Sequence, residues 1–221
     1  MRIFLLTIIL AFPATTFAQK QGKDIELNLF LFGNLYSNAE SLNKYVDEFN
    51  SAGTTTSDLA KVKNANFMAA EILLVTDNDF GYGIRYTATA SASTGRQSGG
   101  DVEMATGLFD FSAVFKFMSS AEKFQYGAGF SIGAPQAFGT GIKASGNTTG
   151  YQSDKVPIAR GFVLGRFNFG RFALHGEAGY LFAKATELKS SNGTKLTKAD
   201  GSNVELDLSG GYISAGLGWQ F

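Results

Sequence analysis

The chain has 221 residues and no cysteine, and its 19 basic and 19 acidic side chains cancel. The missing thiols exclude disulfide stapling, and one histidine without cysteine offers no metal-ligand cluster. The even charge leaves no basic surplus for nucleic acid or for electrostatic attachment to a membrane surface. With 27 glycines, 21 phenylalanines and 8 tyrosines against 3 prolines, the composition suits a β-barrel, in which glycine permits bends and aromatics populate interfacial belts. A phenylalanine-rich soluble core is the competing reading.

Residues 1–18, MRIFLLTIILAFPATTFA, combine a basic Arg2, an apolar run at 3–12, Pro13, and small Thr16 and Ala18 before a cut. This is the layout of a secretory signal peptide, with an apolar run too short for the ~20 residues of a spanning helix. The expected division is a signal peptide at 1–18 and a barrel domain at 19–221. Loss of Arg2 leaves the mature chain with about one net negative charge.

Residues 24–36 (DIELNLFLFGNLY) read as the first strand, Ile25, Leu27, Leu29 and Leu31 outward, Glu26 and Asn28 inward. Phe30 and Phe32 blur the phase in its upper half. Between Asn38 and Ala52, Leu42, Tyr45, Val46 and Phe49 recur at helical spacing, which fits either a short amphipathic helix or a loop with scattered apolar residues. The second strand, 65–76, turns Met68, Ala70, Ile72 and Leu74 outward and Phe67, Ala69 and Glu71 inward, and ends in a tight turn at Asp77, Asn78 and Asp79. The third, 80–93, alternates most cleanly: Tyr82, Ile84, Tyr86, Ala88 and Ala90 oppose Gly83, Arg85, Thr87, Thr89 and Ser91. Residues 94–101 read as a flexible loop.

In the fourth strand, 102–118, Phe109, Phe111, Ala113, Phe115 and Phe117 face out, and Asp110, Ser112 and Lys116 face in. After a turn at 119–123, the fifth, 124–134, sets Tyr126, Ala128, Phe130 and Ile132 outward over Gln125, Gly127, Gly129 and Ser131. Pro135 and Pro157 bracket a long loop, since a residue without an amide donor belongs where sheet pairing starts or stops. The sixth strand, 158–167, places Arg160, Phe162, Leu164 and Arg166 on one face. The seventh, 170–184, alternates Phe172, Leu174, Tyr180 and Phe182 with Ala173, His175, Glu177 and Leu181. A polar loop at 185–203 leads to the closing stretch, 204–221, where Ile213, Ala215, Leu217, Trp219 and Phe221 share one parity. Glu205 and Asp207 share that parity too. Either the span begins near Ser209, or Gly210 and Gly211 carry a bulge that flips the phase.

Eight strands joined by alternately long and short connections, with both ends on the short-turn side, predict an all-β, eight-stranded antiparallel transmembrane β-barrel with short periplasmic turns and long extracellular loops. Closure leaves no open edge in hydrocarbon. Ser214, Gly216, Trp219 and Phe221 follow the spacing polar-x-Gly-x-x-aromatic-x-aromatic, which resembles the terminal assembly signal of bacterial outer-membrane barrels. Together with the strand pattern, the chain resembles the small eight-stranded outer-membrane proteins of the OmpA-barrel, OmpX and opacity-porin type. The resemblance implies an outer-membrane location, lipid neighbours, recognition by the barrel-assembly machinery, no cofactor and a monomer. No periplasmic peptidoglycan-binding domain follows Phe221, so an anchoring role is not implied.

Assumed tight-turn registers set Glu71 opposite Arg85, Arg160 opposite Glu177, Phe162 opposite His175, Asp110 near Ser131 and Lys116 near Gln125. Opposite charges across a ladder are favourable neighbours, and eight strands leave an interior that side chains fill. The expectation is a polar, plugged lumen built on Glu71, Arg85, Asp110, Lys116, Arg160, Arg166, His175 and Glu177. His175 and Glu177 share a face, but 174-LHGEAG-179 lacks the His-x-Ser run of the related lipid-modifying enzymes, so no catalytic residue is assigned. Function then falls to the loops, which present Tyr45, Phe49, Phe138 and Tyr151 for an external ligand, a host surface, or simple local packing. The main reading is a non-enzymatic surface or envelope protein. A narrow pore or a hydrophobic-solute channel of the OmpW kind is the alternative, and a lipid-modifying enzyme a more distant one.

Overall fold

The computed structural model describes residues 24–37, 39–52, 55–76, 79–97, 100–119, 123–144, 147–153 and 156–221. The expected leader at 1–18, and Asp77 and Asn78 of the expected turn, lie outside the described residues. In chain order the elements are β1 (Asp24–Ser37), α1 (Glu40–Ala52), β2 (Thr55–Ser57), β3 (Asn64–Val75), β4 (Phe80–Gln97), β5 (Gly100–Met118), β6 (Phe124–Ala144), β7 (Asn147–Gln152), β8 (Ile158–Phe169), β9 (Phe172–Phe182), β10 (Lys184–Ala185), β11 (Lys189–Ser190), β12 (Leu206–Asp207) and β13 (Gly210–Gln220).

Eight of these strands, β1, β3, β4, β5, β6, β8, β9 and β13, form a closed antiparallel barrel in which each pairs with the next and β13 returns to β1. Closure satisfies every strand edge internally, which a sheet surrounded by hydrocarbon requires. The seam extends to the last residue, where the Phe221 amide donates to the Ile25 carbonyl at 2.9 Å. Alternation places the apolar side chains outside: Ile84 is 59% exposed, Val163 60% and Ile213 55%. Among the described residues no helix is long and apolar enough to cross a membrane. The strands carry the apolar band instead.

The blurred phase of the first strand has a definite cause. The β1–β13 register shifts between Phe30 and Phe32, so Leu31 and Phe32 both point outward, at 46% and 75% exposure. Beyond that bulge the parity inverts and Leu35 and Ser37 turn inward.

Three expectations need correction. Residues 94–97 and 100–101 are strand rather than loop: β4 and β5 pair up to Gln97 opposite Gly100. Nor does Pro135 end its strand, because β6 continues to Ala144 and then pairs with β7. Pro135 sits where β6 exchanges partners, above its last pair with β8 at Gly133 and below its first with β7 at Gly139; at this handover the missing amide breaks no ladder on that side. The segment at 185–203 is folded rather than a plain polar loop, with β11 on β7 and with Leu188 and Leu196 buried. Of the two readings of the closing stretch the first holds: the closing strand starts only at Gly210, next to Ser209, and parity runs unbroken from Val204, so there is no bulge at Gly210 and Gly211. Glu205 and Asp207 lie above the barrel wall beside β12, where Glu205 meets Lys184 at 2.8 Å.

A cap covers the long-loop end. On α1, Leu42 and Val46 are buried. Asn43 and Asn50, seven residues apart and therefore on one helical face, each form paired bonds with a returning backbone: Asn43 with both main-chain groups of Val62, Asn50 with those of Leu59. Ser41 and Glu48 accept amides from Glu205 and Ala199. The helix thus ties the first connection to the last. Its buried residues belong to one apolar cluster with Leu35, Leu108, Phe138 and Ile158 of the barrel interior.

The β1–β13 seam requires glycine at two positions, Gly210 and Gly216. A Cβ on Gly216 would stand 1.9 Å from the Leu29 carbonyl oxygen, whereas on Gly211 the nearest atom would be 3.9 Å away. Gly216→Ala is expected to destabilise the folded barrel by about 1–3 kcal/mol through overpacking and Gly211→Ala to leave it unchanged. Urea unfolding in lipid vesicles, followed by the fluorescence of the single tryptophan, checks this; equal midpoints for the two variants would contradict it.

Candidate functional site

The charged side chains of the alternating strands meet inside the barrel, at a central knot. Arg85 on β4 is fully buried and donates to two carboxylates at once. Its Nε bonds Glu71 Oε2 on β3 at 2.8 Å, and Nη2 and Nη1 bond Glu177 Oε1 and Oε2 on β9 at 2.7 and 3.0 Å. In the ring of eight, β9 lies four places from β4, so the Arg85–Glu177 pair crosses the whole lumen. Lys116 on β5 completes the group, with Nζ 2.6 Å from Glu71 and 3.2 Å from Glu177. Asn28 donates to Glu71 at 3.0 Å. Two cations and two carboxylates leave no unbalanced charge in the knot, the condition under which buried ions persist.

Aromatic rings bracket the same guanidinium. Its central carbon lies 4.8 Å from the centroid of Phe30 and 4.9 Å from that of Phe162. Such cation–π contacts strengthen when desolvated, and here they set apolar faces against the one part of Arg85 that hydrogen bonding leaves uncovered.

A second knot lies nearer the loops. Arg160 on β8 reaches past β6 to Asp110 on β5 in a two-pronged pair, at 3.0 and 2.6 Å. Ser112 donates to Asp110 at 2.6 Å. Thr87 and Ser131 lie at the same level through their register with Asp110 and Arg160. Toward the short turns, Arg166 pairs with Glu26 and donates to Asn168 at 2.6 Å. His175 is buried, with its ring edge-on to Phe30 at 4.4 Å between centroids.

Glu71 stands opposite Arg85 in the β3–β4 ladder. The other assumed registers differ. Arg160 faces Leu181, Phe162 faces Gly179, and Glu177 faces Leu164, while His175 faces Arg166. The turn is Gly170–Arg171 rather than Asn168–Phe169, because Gly170 takes a φ of +68° that glycine adopts without strain. The β5–β6 ladder is displaced in the same sense: Asp110 pairs with Pro135, and Lys116 with Gly129. Both shifts conserve parity, so these charges stay inside, and Arg160 and Glu177 find their partners, Asp110 and Arg85, on non-adjacent strands rather than in each other.

Glu26, Asn28, Phe30, Phe162 and Tyr212, whose hydroxyl lies 3.5 Å from Glu177 Oε2, were not part of the expected network. Inward parity marked Glu26 and Asn28, but no hairpin joins Glu26 to Arg166, so their pairing had no sequence signal. Of the loop aromatics, Phe138 is fully buried, and Tyr45, Phe49 and Tyr151 pack against the core cluster. Burial raises the Tyr45 phenol above its ordinary pKa, with Tyr151 and Glu48 adding to the effect. These side chains are packing residues of the cap. Among the described residues no group of three or more His, Asp or Glu is placed to hold a metal.

No protein-family model matches the chain, and no curated protein does. Among solved structures it is similar to the outer membrane protein OprG from Pseudomonas aeruginosa, with 11% identity over 91% of this chain and 97% of that one and a TM-score of 0.49. It is also similar to Ail, the attachment invasion locus protein of Yersinia pestis, with 12% identity, 91% and 99% coverage and a TM-score of 0.44. The outer membrane protease OmpT from Escherichia coli follows at 11% identity, 90% and 96% coverage and a TM-score of 0.42. Likenesses this distant assign no activity to this chain.

Proposed function

We propose that this protein is a non-enzymatic barrel of the bacterial outer membrane, exported by a cleaved leader at 1–18, closed to ions along its axis, and presenting its capped long-loop end to the outside. One observation carries the reading: polarity is inverted relative to a water-soluble fold. Ile84 and Val163 are more than half exposed while their near neighbours Arg85 and Arg160 are buried. Water outside would penalise the first pair, and hydrocarbon outside would penalise the second if they faced it. Only a bilayer around a polar interior favours both. The short turns then face the periplasm, beside outward aromatics such as Phe172, Trp219 and Phe221.

Closure of the axis rests on the central knot. An ion passing it must separate Arg85 from two carboxylates and part the Phe30 and Phe162 rings, exposing buried charge without a partner. Above it lie the second knot, then Leu35, Phe138 and Ile158, then the cap. His175 has Arg166 and Gly216 as its ladder neighbours, and its Nε2 bonds no serine hydroxyl that it could activate as a nucleophile, which supports the non-enzymatic reading. Lipids of the outer membrane and the barrel-assembly machinery are the partners this reading requires, and any external ligand or host surface would meet the cap of a monomer.

The terminal signal fits the same scheme. Trp219 and Phe221 lie on the outer surface of β13, where a receptor reaches them, and Ser214 and Gly216 lie on the inner. Deleting residues 219–221 is expected to abolish the compact, heat-modifiable form in outer-membrane fractions. Normal assembly of that truncation would overturn the signal's role.

In planar bilayers the refolded mature protein is expected to be silent, and Arg85→Ser to produce conducting events. Steady conductance by the unaltered protein would overturn the closed reading in favour of a pore.

A further inference from the structure

The barrel wall is uneven in height. β4, β5 and β6 run for 18, 19 and 21 residues, whereas β9 and β13 on the far side of the ring have 11 each. On the outer face of the tall side lies a recess of about 360 Å³ with an almost wholly apolar lining. Its floor is Ala90 and Ala92 of β4, Ala105 and Gly107 of β5, and Gly139 and Gly141 of β6, with Phe109 at the end nearer the short turns. The ladders set these positions side by side, on the outward parity of Phe109. The recess is therefore continuous with the lipid-facing band below it. Phe109 and Phe117 lie on one strand, β5, and the stretch between them climbs about 20 Å at ~3.4 Å per residue and a ~40° tilt, against an apolar band of ~25 Å. The lower end of the recess thus lies in hydrocarbon and its upper end among headgroups.

The sheet itself does not demand all of these small residues. A Cβ on Gly139 would stand 2.1 Å from the Tyr151 carbonyl oxygen, so backbone packing requires glycine there. At Gly141 the nearest atom would be 4.0 Å away, and at Gly150, its ladder partner on β7, nothing lies within 4 Å. Glycine weakens a strand interior, and at this pair what it preserves is open space on the outer surface. Water in that space would meet no polar partner, whereas a methylene chain would match the lining. At the upper rim Lys143, two residues beyond Gly141, meets Glu103 at 3.2 Å with both side chains about half exposed. Exposed pairs of this kind hold weakly, which leaves the ammonium available to a stronger anion. A second copy of the barrel does not fill the recess, because a two-fold contact would set one concavity on the other.

We propose that this recess seats one acyl chain of a phosphate-bearing lipid from the leaflet on the long-loop side, with the methylenes on the alanine and glycine floor and the phosphate at Lys143. The seat rests on the membrane orientation proposed above and does not depend on whether the axis conducts. It gives the tall wall a fixed lipid where the bilayer must rise to cover it.

Filling the recess tests the seat. Mature protein refolded in dodecyl maltoside is titrated with dilauroyl phosphatidylglycerol and examined by native mass spectrometry, after insertion into vesicles and heat-modifiability have shown that each variant folds. Failure to insert would count against the membrane reading itself; a protein that inserts yet retains no lipid would count against the seat alone. One lipid retained per barrel is expected. Ala105→Leu with Gly141→Leu, which places side chains in the recess, should abolish retention. Ala113→Leu with Ala128→Leu, which adds bulk lower on the outer wall, should leave it unchanged. Lys143→Gln should weaken retention roughly fivefold, the scale of one exposed charge contact. Equal retention by the filled variant, equal loss in the lower-wall control, or a lipid-free dimer that the filling dissociates would overturn the proposal.

Discussion

A buried guanidinium cannot be left alone, and most of this barrel follows from how Arg85 is satisfied. Its two carboxylates come from opposite sides of the ring, one on the neighbouring β3 and one across the lumen on β9. Holding both in place fixes the inward parity of three strands and the diameter between two of them. A one-residue slip would turn Glu71 or Arg85 into the outer face, where an arginine at mid-depth of a bilayer costs about 2–4 kcal/mol. The same constraint that fills the lumen therefore enforces the register of its walls.

The apolar half of the interior answers a different need. Above the knots, the buried surface continues from Leu35 and Phe138 into Leu42 and Val46 of α1 and Leu206 and Leu208 near β12. The cap is thus an extension of the barrel core rather than a set of independent loops. Its hydrogen bonds, through Asn43, Asn50, Ser41 and Glu48, bind main-chain groups of the connections it covers. Whatever meets the capped end of this protein meets a packed surface that has little chain freedom left to lose, a favourable starting point for recognition.

Strand number, parity and the Glu71–Arg85 pair were legible in the sequence because they depend on a period of two and on one tight turn. The helix was half legible: Leu42, Tyr45, Val46 and Phe49 carried the spacing, and Asn43 and Asn50, poor residues for a helix interior unless bonded elsewhere, were the overlooked sign of its packing. The cross-lumen partners were not legible, since ladder registers relate adjacent strands only, and nothing in a hairpin locates Glu177 relative to Arg85. Gly170 misplaced one turn because Asn168 and Gly170 are both turn formers, and tertiary pairing chose between them. The extension of β6 was hidden by Pro135, whose usual meaning as a strand end fails where the strand changes partner.

The central claim is that Arg85 and Glu177 bind one another across the full width of the barrel. A double-mutant cycle of Arg85→Met and Glu177→Gln, measured by urea unfolding in lipid vesicles, addresses it directly. Contact predicts a coupling free energy of roughly 1–3 kcal/mol; additivity to within about 0.5 kcal/mol, as for residues that do not touch, would contradict the account.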